Sequence, residues 1–204
     1  MNPGQQSATD CFKSISSPSK GIYKDKGSKF LSFAYPVTSE AEAKTLIASL
    51  KKEYFDARHH CWAYRLGHTG EAFRYNDDGE PSSTAGKPIY GQILSNELSD
   101  ILIVVVRYFG GILLGTSGLI VAYKSAAADA IANATIIEKT ATVRLRVEFD
   151  YLQMNAVMKC LKDFQLTPQN TVYDNGCSLE VDVRLTSEKS FTESIQKFSI
   201  CQRV

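Results

Sequence analysis

Residues 101–134 read ILIVVVRYFGGILLGTSGLIVAYKSAAADAIANA. The opening six, 101–106, are an unbroken apolar run rich in β-branched residues, the pattern of a strand buried on both faces. Arg107-Tyr108-Phe109-Gly110-Gly111 then leaves the strand, and Gly115-Thr116-Ser117-Gly118 opens a helix. Residues 119–134 are Ala-rich and mostly apolar, as expected of a helix lying close on a sheet. Glycines let backbone N–H groups approach a ligand, and a helix start offers free donors at a positive dipole end. Two readings stay open here. One is an anion site built by Arg107, Gly110, Gly111, Gly115, Thr116 and Gly118, with Lys124 adding charge. The other is a tight strand–helix connection that needs glycine for steric reasons. The spacing is neither a P-loop nor the Rossmann fingerprint, so no nucleotide is specified.

Upstream, residues 30–37 alternate as a strand, and Ser39 with Glu42 has capping-box spacing ahead of Ala43, Leu46, Ile47 and Leu50. His60, Trp62 and Tyr64 alternate as a second strand, returning through residues 71–75 as a hairpin. Residues 76–88 read as a loop, and residues 1–20, polar with few large apolar side chains, as a flexible tail. The four lysines Lys20, Lys24, Lys26 and Lys29 surround Gly27, either as a solvated turn or as a binding patch.

A change of register near Lys139 marks a second domain, giving boundaries of 21–138 and 139–204. In the second, Val143, Leu145, Val147 and Phe149 alternate, and a helix carries Val157, Leu161 and Phe164 after a cap at Asp150. Asn175-Gly176 signals a hairpin, and Ser187 caps a last helix. The order β-α-β-β-α is most of a ferredoxin-like unit. The fold class is α+β.

Composition excludes several function classes. Lys+Arg number 23 against 22 Asp+Glu, so no overall basic field draws the chain to nucleic acid, leaving only local patches. Five scattered cysteines without CxxC spacing read as reduced thiols of a cytoplasmic protein. No apolar run is long enough to span a membrane.

Two further clusters carry possible chemistry. In the loop, Asp77, Asp78, Glu80, Ser82, Thr84 and Lys87 could bind a cation or place a general base, although turn chemistry accounts for the same residue types. His59, His60 and Cys61 resemble a metal or Cys/His site. Adjacent strand residues face opposite sides, however, so no metal and no other cofactor is expected.

Taken together, Ser28-Lys29-Phe30, residues 56–61 (DARHHC), 77–82 (DDGEPS), 84–88 (TAGKP) and 105–111 (VVRYFGG) resemble the YigZ/IMPACT family. Leu114-Gly115-Thr116, Gly118-Leu119 and Ala122-Tyr123 continue the match. The resemblance implies a first domain like domain 2 of ribosomal small-subunit protein five, with a left-handed βαβ crossover. It also implies a ferredoxin-like second domain similar to the C-terminal domain of elongation factor G. Ser83 and Ser117 stand where the family usually has Gly, and are expected in backbone conformations a non-Gly residue tolerates. Val121 stands where Arg is common, which weakens the anion site.

Two function classes follow. The first is a translation-related regulator that binds RNA, the ribosome or a translation-associated protein through Arg58, Arg107 and the glycine turn. The second is an enzyme acting on a small phosphorylated or peptide-like substrate, with His59, Asp78 and Glu80 as acid/base groups converging on one pocket.

Overall fold

The alternation of core residues along one central strand organises the larger part of the molecule. A computed structural model describes residues 10–174 and 176–204. They form two compact units: Phe12–Lys139, and Thr140–Val204 together with Asp10 and Cys11.

Strand β1 (Cys11–Ile15) pairs with β7 (Ile136–Thr140) in a two-stranded sheet. The main sheet has the order β2-β3-β6-β4-β5, with all neighbours antiparallel. Its strands are β2 (Ser19–Asp25), β3 (Ser28–Pro36), β4 (His59–Leu66), β5 (Ala72–Asn76) and β6 (Ile101–Tyr108). Helices α1 (Glu40–Glu53), α2 (Gly86–Ser95) and α3 (Gly115–Ala132) cover it. Because β3 and β4 both run antiparallel to β6, they are parallel to each other, and α1 is the crossover between them.

The unbroken apolar run of β6 follows from its central place. Leu102, Val104 and Val106 pack with Ala43, Ile47 and Leu50 of α1, while Ile101, Ile103 and Val105 pack with α2 and α3. Small side chains bring α3 onto β2 and β3 as expected. Ser19 and Ser32 hydroxyls donate to the carbonyls of Ala130 (2.7 Å) and Ala126 (2.6 Å), and a Cβ on Gly21 would collide with the helix backbone. Ser39 caps α1 by accepting from the Glu42 N–H at 3.2 Å. Glu42 reaches back to the N–H of Thr38 rather than that of Ser39.

The smaller unit is a ferredoxin-like β-α-β-β-α-β sandwich with sheet order β11-β8-β10-β9. It comprises β8 (Thr142–Phe149), α4 (Met154–Asp163), β9 (Gln169–Tyr173), β10 (Cys177–Arg184), α5 (Glu188–Ile195) and β11 (Ile200–Arg203). Leu145, Val147, Val181 and Val183 pack with Val157, Leu161, Phe191 and Ile195. Strand β11, four residues long, was not expected from the sequence; it is too short and too exposed to show a period of two. Short 3-10 turns at Tyr151–Gln153 and Leu185–Ser187 lead into α4 and α5, so the side chains of Asp150 and Ser187 make no capping hydrogen bond. β9 and β10 form the expected hairpin. Asn175 itself lies outside the described residues.

Three other expectations are corrected. Over 11–20 the anticipated tail is instead β1 and the start of β2. Tertiary partners supply what local composition lacks: Ser99 N–H donates to the Lys13 carbonyl at 2.9 Å, and Ile15 is fully buried. Residues 1–9 lie outside the described residues. The 76–88 loop ends early, because α2 begins at Gly86. Ser83 has φ 63, in the left-handed region that favours glycine, whereas Ser117 lies within α3. No helix among the described residues is long and apolar enough to cross a membrane.

Candidate functional site

A cleft of about 490 Å³ opens where β4 begins, β6 ends and α3 starts. The loop after β5 supplies Glu80 and Pro81. The start of β4 supplies Arg58 and His59, the end of β6 supplies Arg107, and the glycine segment adds Phe109, Leu113, Leu114, Gly115 and Thr116.

Asp77 shapes the loop. Its Oδ1 accepts from the N–H groups of Ala85 (3.0 Å) and Gly86 (2.8 Å), and its Oδ2 from Ser83 N–H (2.8 Å). The carboxylate thus caps α2 from outside, since Ala85 at the N-cap has no side-chain acceptor. Thr84 Oγ1 closes the turn on the Pro81 carbonyl at 2.7 Å. Ser82 and Lys87 are exposed and do not line the cleft.

Glu80 is buried at the cleft floor. Its Oε1 accepts from Arg107 Nη1 at 2.5 Å and from the Tyr123 hydroxyl at 2.7 Å. Arg107 lies against two aromatic rings, with its guanidinium carbon 5.4 Å from the Phe30 centroid and 5.7 Å from that of Phe109. Behind them, the Cys61 thiol lies 3.0 Å from the Asp77 carbonyl and 3.3 Å from the Tyr123 oxygen. Burial pushes the ionisation of both Cys61 and Tyr123 far up, so each is neutral. Cys61 is a packing residue, inert as a nucleophile.

His59 Nδ1 lies 2.8 Å from the carbonyl oxygen of Asp78. A carbonyl only accepts, so Nδ1 carries the proton and Nε2 is left as the acceptor in the neutral ring. That Nε2 lies 4.0 Å from Glu80 Oε1.

The expected triad of His59, Asp78 and Glu80 therefore converges only in part. His59 and Glu80 meet, but the Asp78 carboxylate turns away. Its Oδ1 accepts from Lys51 Nζ and its Oδ2 from His60 N–H, both at 2.7 Å, pinning the loop to α1 and β4. Two separate chains of attachment, the backbone carbonyl and the carboxylate of one residue, serve two different histidines. Burial raises the Asp78 carboxyl, and the Lys51 and His60 hydrogen bonds lower it by more, for a net fall. Burial lowers the pKa of His60, whose Nε2 bonds the Tyr54 carbonyl at 3.1 Å.

The glycine set also divides. Arg58, Arg107, Gly115 and Thr116 line the cleft; Gly110, Gly111, Gly118 and Lys124 do not. Gly110 is required for steric reasons, since a Cβ there would overlap the backbone of Gly27 and Ser28. Gly111 and Gly115 have φ 89 and 70, where side chains are strained. Lys124 is exposed on α3. Tyr123 and Phe109 were not named as site residues from sequence. The available signal for Tyr123 was a lone phenol among alanines on the buried face of α3.

Residues 26–131 match the family model of the Impact N-terminal domain. IMPACT family member YigZ of Escherichia coli (strain K12) is 32% identical over 176 residues, covering 85% of this chain and 86% of that protein. IMPACT family member YvyE of Bacillus subtilis (strain 168) is 32% identical over 166 residues, covering 81% and 76%. A solved structure described as an hypothetical protein aligns with a TM-score of 0.72 at 30% identity, covering 95% of this chain and 96% of that one. With a domain match spanning more than half of its length and relatives aligned over most of theirs, this chain belongs to the IMPACT family.

Proposed function

We propose that the chain is a translation-related binding module that takes single-stranded RNA, free or on the ribosome, in the cleft at the start of α3. The observation that carries this reading is the exposed Phe109 ring beside the Arg107 guanidinium, opening on the same cleft as Arg58 and the first turn of α3. An aromatic face stacks on bases, an exposed arginine takes phosphate, and helix-start N–H groups accept an anion. Glu80 offsets the charge of Arg107, so Arg58 supplies the uncompensated charge of the cleft and stacking supplies much of the affinity. The sequence resemblance to translation-factor domains supports the biological setting.

The test is fluorescence anisotropy of a labelled oligouridylate against wild type, Phe109→Ala and Arg58→Gln. Phe109→Ala should weaken binding about tenfold, within the range measured for one stacked base. Arg58→Gln should lower the slope of log affinity against log salt by about 0.7. Binding untouched by both substitutions, or no binding at low salt, overturns the reading.

A second reading rests on His59, whose fixed tautomer leaves an acceptor nitrogen facing Glu80. That arrangement suits acid/base chemistry on a small phosphorylated or peptide-like substrate. Turnover abolished by His59→Gln, with RNA binding absent, would favour it.

A further inference from the structure

The β2–β3 hairpin is built against its own stability. Lys24 and Lys29 lie directly opposite each other across the two strands. Like charges so placed destabilise a sheet. Between them Lys26 has φ 45 and Gly27 φ 79. A two-residue turn with positive φ at both positions prefers Asn or Gly where Lys26 stands. The three lysines are exposed, and among the described residues none forms an ion pair with a carboxylate. The turn encloses a concave surface of about 400 Å³ lined by residues 24–29, Asp25 among them.

The position of this turn matters. Lys29 is paired with Tyr108, while Phe30 is paired with Arg107. Alternation therefore puts Lys24 and Lys29 on the α1 face of the sheet and the cleft on the α3 face. Both lie at the same end of the sheet, where Gly27 and Gly110 touch.

We propose that the hairpin tip is a second phosphate site, in which Lys24, Lys26 and Lys29 hold the backbone of an RNA strand. A phosphate set between the facing ammonium groups replaces their repulsion with charge-assisted hydrogen bonds. The proposal takes the identity of the polyanion from the RNA reading of the cleft, but uses none of the cleft's residues.

The test is the full chain carrying Lys24→Gln and Lys29→Gln together, titrated with an oligouridylate of about twelve nucleotides. Loss of two phosphate contacts should reduce the salt slope by about 1.4, so the affinity lost between about 50 and 200 mM salt shrinks roughly sevenfold. The thermal midpoint without RNA should hold or rise, because the repulsion is gone. A fall in that midpoint would show that the lysines support the fold and overturn the proposal. A slope unchanged while wild type binds RNA overturns the hairpin site and leaves the cleft reading standing. A changed slope with Phe109→Ala and Arg58→Gln silent supports the hairpin and removes the cleft. No RNA binding by wild type overturns both. Inorganic triphosphate binding wild type as tightly as the oligonucleotide overturns RNA as the occupant.

Discussion

Glu80 Oε1 and Arg107 Nη1 form an ion pair at 2.5 Å, with side chains only 4% and 7% exposed. The Tyr123 hydroxyl donates to the same carboxylate oxygen, and Arg107 Nε is buried with no hydrogen-bond partner among the described residues. One oxygen thus holds the end of β6, the loop before α2 and the middle of α3 together.

Removing one member of this pair leaves the other charge buried. Glu80→Ala should cost about 3–5 kcal/mol, the usual penalty for an uncompensated buried charge. Replacing both, with Arg107→Met and Glu80→Leu, should recover most of that loss. Urea unfolding of Arg107→Met, Glu80→Leu and the double checks it; strictly additive losses would contradict a coupled pair.

Asp77 accepts from three backbone N–H groups, those of Ser83, Ala85 and Gly86. Asp77→Ala should destabilise by about 2 kcal/mol, the upper end for loss of a helix cap. It should also expose residues 78–84 to proteolysis, while Asp77→Asn should lose less. Limited proteolysis with mass mapping reads both effects.

Gly110 and Gly111 are adjacent but constrained differently. Gly110→Ala drives a methyl into the β2–β3 turn and should cost roughly 1–3 kcal/mol, as overpacking does. Gly111→Ala meets open space and suffers only its φ of 89, about 1 kcal/mol. Thermal melts of the two variants should rank them in that order.

Acid should weaken the fold in two steps. Burial lowers the pKa of His60 below 6.5, so the unfolded chain binds that proton more readily. Its contribution is full above pH 6.5 and is lost as pH falls from there through the lower folded-state value. Asp78, lowered below 3.8 on balance, adds stability that persists at neutral pH and is lost as pH drops below 3.8. The thermal midpoint should fall from pH 8 to 5, more gently in His60→Asn, and Asp78→Asn should flatten the lower step.

Elements with strong periodicity were legible in the sequence because one face or both must meet a core. The run before Arg107 reads as a strand buried on both faces, and the Ala-rich segment after Gly118 as a closely packed helix. Residues 11–20 show the limit of that reasoning, since β1 and the start of β2 owe their order to partners distant in the chain. The site was legible to a lesser degree. His59 and Glu80 were named together, but the direction of the Asp78 carboxylate depends on Lys51, 27 residues away.

The sequence by itself determined the α+β class, the family, the central strand and the glycine turn, because apolar period and backbone sterics are local properties. Tertiary structure alone decided which polar groups meet. It set the Asp77 carboxylate on α2, the Asp78 carboxylate on α1 and β4, and Tyr123 beneath Glu80. It also showed that Gly110 is sterically required, because a Cβ there would overlap the backbone of Gly27 and Ser28. Hydrogen-bond partners are chosen by three-dimensional register, which residue type and spacing do not encode.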